Sequence, residues 1–424
     1  MKEAVLKIIA NREELLAAAR DALTVSPEKS PLPELECACL ATEDGKLTVA
    51  GGNLQVALER RIPVQIEEEG VVIIGAELLV SMLSKLDGES VTLRVDENRR
   101  LELTCGEAFY GVSTLDSAKY PRPDIPFPED TVAVTDIPSL SRRTVFAASE
   151  TDEKPQMKCV HLIFSQDGLR AVSSDRFRIA AAKGKSKTAA QTDMLIPAAS
   201  FEKLARLVGS KDELRVGRTG NSIVFMKDDF IFSARLMQGD YFNENMMFSR
   251  AKRSFIVLAD AAVLRNTMAS VCAVVGEQNR FGLTFSGARL RMTCESEYGA
   301  SSMELDTVPL SGSPSGVFWY SPEKLYECLK ALGGTMMLKV AENGALLMET
   351  DELTCLQVAL REPKPVERIA FKPRAQEKPK AAKEEKPGKA EKEKKPKDEK
   401  PKKTVKPKGK KTKKKETAEV SKAA

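Results

Sequence analysis

An internal period limits this chain's possible folds more than any other feature. Three stretches share one pattern: VVIIGAELLVSMLSKLDGESVTLRV from Val71, DMLIPAASFEKLARLVGSKDELRV from Asp193, and VFWYSPEKLYECLKALGGTMMLKV from Val317. Ile74, Ile196 and Tyr320 take equivalent places, 122 and 124 residues apart. Counting onward, side chains suited to a buried face return at offsets 5, 8, 9 and 12. They are Leu79, Met82, Leu83 and Leu86; Phe201, Leu204, Ala205 and Val208; and Leu325, Cys328, Leu329 and Leu332. That spacing marks one face of an α-helix. Each helix runs into a turn (Asp87-Gly88, Gly209-Ser210, Gly333-Gly334) and then a strand with a basic centre at Arg94, Arg215 or Lys339.

A second unit precedes each of these. LATEDGKLTVAGGNLQVALE from Leu40, LIFSQDGLRAVSSDRFRIAAA from Leu162 and LTFSGARLRMTCESEYGASSMEL from Leu283 read as strands joined by tight turns. Helix-like runs begin before them at Arg12, Ile137 and Asp260. Each copy therefore reads helix, strands, helix, strands. The length of 424 residues agrees with about three domains at roughly 150 residues each. The expected divisions are 1–127, 128–249 and 250–362, followed by a tail over 363–424. PRPDIPFPED (121–130) and polar FNENMMFSRAKRS (242–254) are the expected linkers.

Charge is split along the chain. Residues 371–424 hold 22 Lys/Arg against 9 Asp/Glu, so the tail is net +13 and residues 1–370 are net −8. Its Lys/Pro/Glu/Ala composition offers too little apolar area to offset ordering entropy, and it reads as a disordered basic segment. Two readings of it stand open, an inert solubilising extension and a DNA-affinity arm.

Catalytic and metal signatures are missing. The eight cysteines form no CxxC and the single histidine is His161, which argues against structural zinc. Cys37 and Cys39 share one face of a strand, as core residues do. No Walker loop, GxGxxG, HExxH or GxSxG occurs, and His161 has no nucleophile motif beside it. No catalytic residue, cofactor or metal is expected. The N-terminus lacks a secretory pattern and no run reaches the ~20 apolar residues of a membrane span, so a cytoplasmic protein with no membrane partner is expected.

With this repeat the chain resembles the bacterial DNA polymerase III β subunit, the β sliding clamp family, over roughly residues 1–361. The strongest local likeness is Ser174-Asp175-Arg176-Phe177-Arg178-Ile179-Ala180, set against a family pattern of Thr-Asp-small-His/Tyr-Arg-Leu-Ala. DDFIFSARLMQGDYF (228–242) and Val358-Ala359-Leu360-Arg361 resemble two further family stretches, with the family prolines absent. The resemblance implies an α+β fold: three copies of the DNA clamp fold, each with two helices packed on antiparallel sheets, forming half of a six-domain ring. It implies a homodimeric processivity factor without its own catalytic site. The implied partners are duplex DNA, a second copy of the chain, the DNA polymerase III α subunit, the clamp loader and other proteins with clamp-binding motifs.

It also implies a partner-peptide cleft made by Ser174, Arg176, Phe177, Arg178, Ile179, Phe242, Met246, Met247, Val358, Ala359, Leu360 and Arg361. Phe177 and Ile179, two apart, are expected to face the peptide together, with Arg176 and Arg178 on the rim. The competing reading is a plain core hairpin with a solvated arginine pair. The repeated helices would face the hole, with Arg20, Lys85, Arg142, Arg143, Lys203, Arg206, Arg265, Lys324 and Lys330 on their polar sides and Lys29 in a loop where the family has a DNA-contacting arginine. Ordinary solvated helix faces would look the same. Val274 and Val275 are the expected dimer contacts. The alternative function is a clamp-derived DNA-binding scaffold that does not close a ring.

Overall fold

The computed structural model describes residues 6–122, 125, 127–186, 191–250, 253–312 and 316–365. The described residues fall in one compact unit, and the expected tail, 363–424, lies outside them beyond residue 365.

The repeat is written first in the helices: α1 (Arg12–Val25), α2 (Ala76–Leu83), α3 (Ile137–Thr144), α4 (Ala198–Leu207), α5 (Glu244–Arg250), α6 (Ala261–Val271) and α7 (Pro322–Leu332). They pack pairwise within each copy, α1 on α2, α3 on α4 and α6 on α7. The first and third copies cap their first helices alike, whereas Asp136, before α3, makes no side-chain cap. The Asn11 carboxamide accepts from the N–H groups of Glu13 and Glu14, and Asp260 accepts from Val263. Each satisfies amides that the first turn leaves unpaired. The α7 helix stops where Gly333 and Gly334 both adopt φ +61°, a region a side chain disfavours. The expected apolar faces are the buried ones: Leu79, Met82 and Leu83; Phe201 and Leu204; Leu325, Cys328 and Leu329. Of the twelve positions only Ala205 and Leu332 are half-buried. Among the described residues no helix is long and apolar enough to cross a membrane.

Every named strand pair is antiparallel. One strand organises each copy. Val56–Glu68 pairs through residues 57–63 with Lys46–Gly52 and then crosses to pair with Leu6–Asn11. Its first residues also pair, along their other edge, with Phe230–Arg235 of the second copy, in the register Phe230↔Arg60 to Ala234↔Val56. The second copy repeats the device: Arg178–Gly184 pairs with Gly168–Ser174 and with Leu353–Gln357 of the third, from Arg178↔Gln357 to Ala182↔Leu353. Backbone ladders thus weld the three copies into a 12-stranded and a 9-stranded sheet, with a 4-stranded sheet in the third copy. Ala108–Ser113, the last strand of the first copy, and Gly299–Asp306, the strand after the hairpin in the third, each end a sheet with one edge unpaired among the described residues.

Two expected linkers are more ordered than their composition predicts. Residues 242–254 contain α5 and the start of the strand Arg253–Asp260. The Asn243 side chain caps α5 by accepting from the Met246 N–H, and Phe248 anchors it on apolar residues. In 121–130, Arg122 is held by the Glu43 and Glu59 carboxylates. The chain also stays ordered past 362: Gln278 exchanges two 2.8 Å hydrogen bonds with the backbone of Lys364.

Candidate functional site

The stretch Ser174–Ile179 is a tight loop between two strands. The Asp175 carboxylate accepts from the N–H groups of Phe177 and Arg178, both at 3.0 Å, which folds the loop locally. Arg176 takes the left-handed conformation at φ +71°, and its guanidinium pairs with Asp152 at 2.6 Å. The Lys154 amide, and then Arg176, hold the Asp152 carboxyl below its ordinary range. Phe177 is left 47% exposed at the loop tip, with the Lys324 ammonium 5.3 Å from its ring centre. Its carbonyl accepts from the Val358 N–H at 2.9 Å, which fixes the segment Val358–Arg361 alongside it.

Two expectations are corrected here. Arg178 is not on the rim. It is 6% exposed, and reaches Glu327 and the carbonyl of Lys324 on α7 while its plane lies 5.1 Å from the Phe146 ring centre. A buried guanidinium needs such partners, and it has two carboxylates, Asp175 in its own loop and Glu327 on the third copy. Ile179 does not share the surface with Phe177. It is buried among Val172, Leu347 and Leu356, beneath half-buried Tyr241, Phe242 and Phe248. The alternation argument fails because Phe177 belongs to the loop, and the strand begins only at Arg178.

The remaining cleft candidates surround this cluster. Phe242 stacks on Tyr241 at 4.6 Å and rests on the buried cluster around Ile179. Tyr241, adjacent to a chosen residue yet overlooked, is held by burial with its phenol well above the ordinary range. Met246 and Met247 are 44% and 38% exposed on α5. Val358, Ala359 and Leu360 are half-buried and Arg361 is exposed. The Leu360 N–H donates to the Trp319 carbonyl at 2.7 Å. Ser174 is buried and serves the loop, donating to the Arg178 carbonyl at 2.8 Å and accepting from the Arg176 amide at 3.1 Å. The junction of copies two and three thus presents Phe177, the α5 methionines and the half-buried edge 358–360 over a closed apolar floor.

The basic helix residues divide. Arg20, Lys29, Lys85, Arg142, Arg206 and Lys330 are exposed, Arg206 beside Glu202 at 2.7 Å. Four others have partners within the fold. Lys203 donates to the Val25 carbonyl at the end of α1, and burial lowers its pKa. Arg143 pairs with Glu352, Lys324 with Asp175, and Arg265 lies 5.9 Å from the Tyr326 ring. Three of these contacts cross between copies, and polarity patterns cannot register a tertiary partner. Lys324, expected on a DNA-facing helix side, stands instead beside the Phe177 loop. Val274 and Val275 are half-buried after α6.

His161 is 8% exposed, bonded through Nε2 to Asp193 at 2.7 Å and stacked on Tyr241. Cys37 and Cys39 are buried with Ile73 and Tyr120, and burial pushes their thiols up to about 11 and about 12. They stay protonated near neutrality.

Three welded copies, each a helix pair on antiparallel sheets, define a three-fold repeat of the DNA clamp fold. Comparison with known proteins agrees. Residues 6–124 match the model of the DNA polymerase III beta subunit N-terminal domain, and residues 131–243 that of its central domain. The Beta sliding clamp of Lactococcus lactis is 24% identical over 344 residues, covering 77% of this chain and 90% of that protein. The Bacillus subtilis Beta sliding clamp is 23% identical, covering 80% and 94%. The crystal structure of the DNA polymerase sliding clamp from Bacillus subtilis superposes with TM-score 0.79 at 19% identity, covering 85% of this chain and 100% of that one. The chain belongs to the DNA polymerase III β subunit family, the β sliding clamps.

Proposed function

We propose that two copies of this chain close head-to-tail around duplex DNA and tether the replicative polymerase, conferring processivity without chemistry of their own. The single observation that supports this is the pairing rule at the two internal junctions. In each, the last strand of one copy pairs with the long hairpin strand of the copy before it. Phe230 and Leu353, the first residues of those last strands, pair with Arg60 and Ala182. Ala108 begins the matching strand of the first copy, and Met303 holds the place of Arg60 and Ala182 in the third. The same rule applied between two chains pairs Ala108–Val112 with Met303–Gly299, placing Phe109 opposite Ser302. Two such joints pair the open edges of Ala108–Ser113 and Gly299–Asp306, which otherwise invite open-ended assembly.

In that ring, copies 1–127, 128–249 and 250–362 are the three domains, and Val274 and Val275 stand near Tyr110 and Val112 of the partner. The paired helices line the hole. Arg20, Lys29, Lys85, Arg142, Arg206 and Lys330 supply diffuse attraction to phosphates, which holds DNA without reading bases. Phe177, Phe242, Met246, Met247 and Leu360 receive peptides from the polymerase α subunit, the clamp loader and other partners, where adaptable methionines suit varied sequences.

The test is oxidative cross-linking of the pair Phe109→Cys and Ser302→Cys, followed by retention on circular and linear DNA. A covalent dimer held on circular DNA and lost from linear DNA is expected. A monomer that binds both forms alike would replace the ring with a non-closing scaffold.

A further inference from the structure

The junction between the first and second copies repeats the Asx turn and the cross-copy backbone bond of the cleft loop, without the Ser174 hydroxyl bonds, since Gly52 stands in its place. Asn53 accepts from the N–H groups of Gln55 and Val56 at 3.1 and 3.0 Å, as Asp175 does from Phe177 and Arg178. Leu54 takes φ +68° where Arg176 takes +71°. The Gln55 carbonyl accepts from Arg235 at 2.8 Å, as that of Phe177 does from Val358 at 2.9 Å. The two loops differ in what they hold. At the left-handed position the second copy has an arginine tied to Asp152, whereas the first has a leucine that is 63% exposed. A bulky apolar side chain in that left-handed conformation is unusual. Beside it lies a cavity of about 420 Å³, lined by Leu35, Leu54, Val56, Tyr120, Pro121 and Arg235 among others. Its floor is apolar. Arg235 at its edge is exposed and makes no ion pair among the described residues.

We propose that this groove is a second docking site, for an extended peptide of a partner protein that carries an apolar anchor followed by a carboxylate. The anchor enters between Leu54 and Tyr120, removing from water apolar area that the fold leaves open. The carboxylate meets the Arg235 guanidinium, whose planar fork suits it. The preference differs from that of the cleft, because Gln55 stands where Phe177 does. The proposal rests on the cleft reading only for its analogy.

The test uses the full-length protein and a defined probe, acetyl-Gly-Leu-Phe-Asp-Gly amide with photo-leucine in place of leucine, and maps adducts by mass spectrometry. Adducts at Leu54, Tyr120 or Pro121 are expected. They should fall at least tenfold in Leu54→Glu and Arg235→Glu, and fall as far when lysine replaces the probe's aspartate. Phe177→Ala should leave them unchanged. Adducts at the groove with none near Phe177 would support this proposal and overturn the cleft reading; the reverse would overturn this proposal alone. Groove adducts that persist in both variants would also overturn it. So would a change in assembly size in Leu54→Glu, which would assign the groove to a second copy of the chain.

Discussion

Arg178 of the second copy meets Glu327 on α7 of the third at 2.5 Å, with the arginine side chain 7% exposed. The same guanidinium lies 3.2 Å from Asp175, whose carboxylate also pairs with Lys324. Four charges from two copies thus meet directly behind the Phe177 loop. Arg178→Ala strips a buried carboxylate of a partner and should cost about 3 kcal/mol, in the range for breaking a buried pair. Denaturant melts of Arg178→Ala and Glu327→Gln measure this. The glutamine variant should lose less, because Glu327 is 42% exposed at its side chain.

The exposed side of the cleft should behave differently. Phe177→Ala with Leu360→Ala removes surface apolar area and leaves the buried cluster around Ile179 intact. Loss of one aromatic contact, at about 2 kcal/mol, weakens peptide binding roughly thirtyfold. Calorimetry with a polymerase α-subunit peptide tests this. Unchanged affinity with an unchanged dimer would remove Phe177 from the site.

Acid should loosen the hold of the first copy on Arg122, at the start of the expected linker. Hydrogen bonding to Arg122 is the largest cause holding the Glu43 carboxyl below its ordinary value of 4.5. A depressed carboxyl pKa stabilises the fold above the unfolded value and loses that stability as pH falls through the folded one. Thermal melts should therefore show wild type losing stability below about pH 4.5. Arg122→Met should start less stable at pH 7 and lose less on acidification. Parallel curves would remove the pair from the account.

Residues 371–424, net +13, can be tested without structural assumptions. If they attract DNA, deleting them should shorten retention at low salt and flatten the dependence of retention on salt. Identical salt profiles would mark them as an inert extension.

The repeat made the helices readable, because Leu79, Phe201 and Leu325 answer to local periodicity. The loop at 174–179 was also visible, since Asp175 suits a turn through its own side chain. Long-range placement was hidden. Nothing in the local spacing of Arg178 names Glu327, 149 residues away, as its partner. Lys203, Arg143 and Lys324 look like solvated helix residues until the neighbouring copy is in place. Val56–Glu68 pairs with strands of two copies and reads in sequence as one strand, so the weld between copies left no compositional mark. Aligning the hairpins at Lys46, Gly168 and Arg289 would have revealed the free edge at Gly299–Asp306.

The welds between copies also bear on how such a chain drifts. Main-chain amides and carbonyls are the same in every residue but proline, so a joint made of them does not depend on which side chains flank it. Phe232 opposite Leu58 and Cys355 opposite Ala180 close equivalent joints with unlike residues. An architecture held in this way can exchange most of its letters and keep its seams.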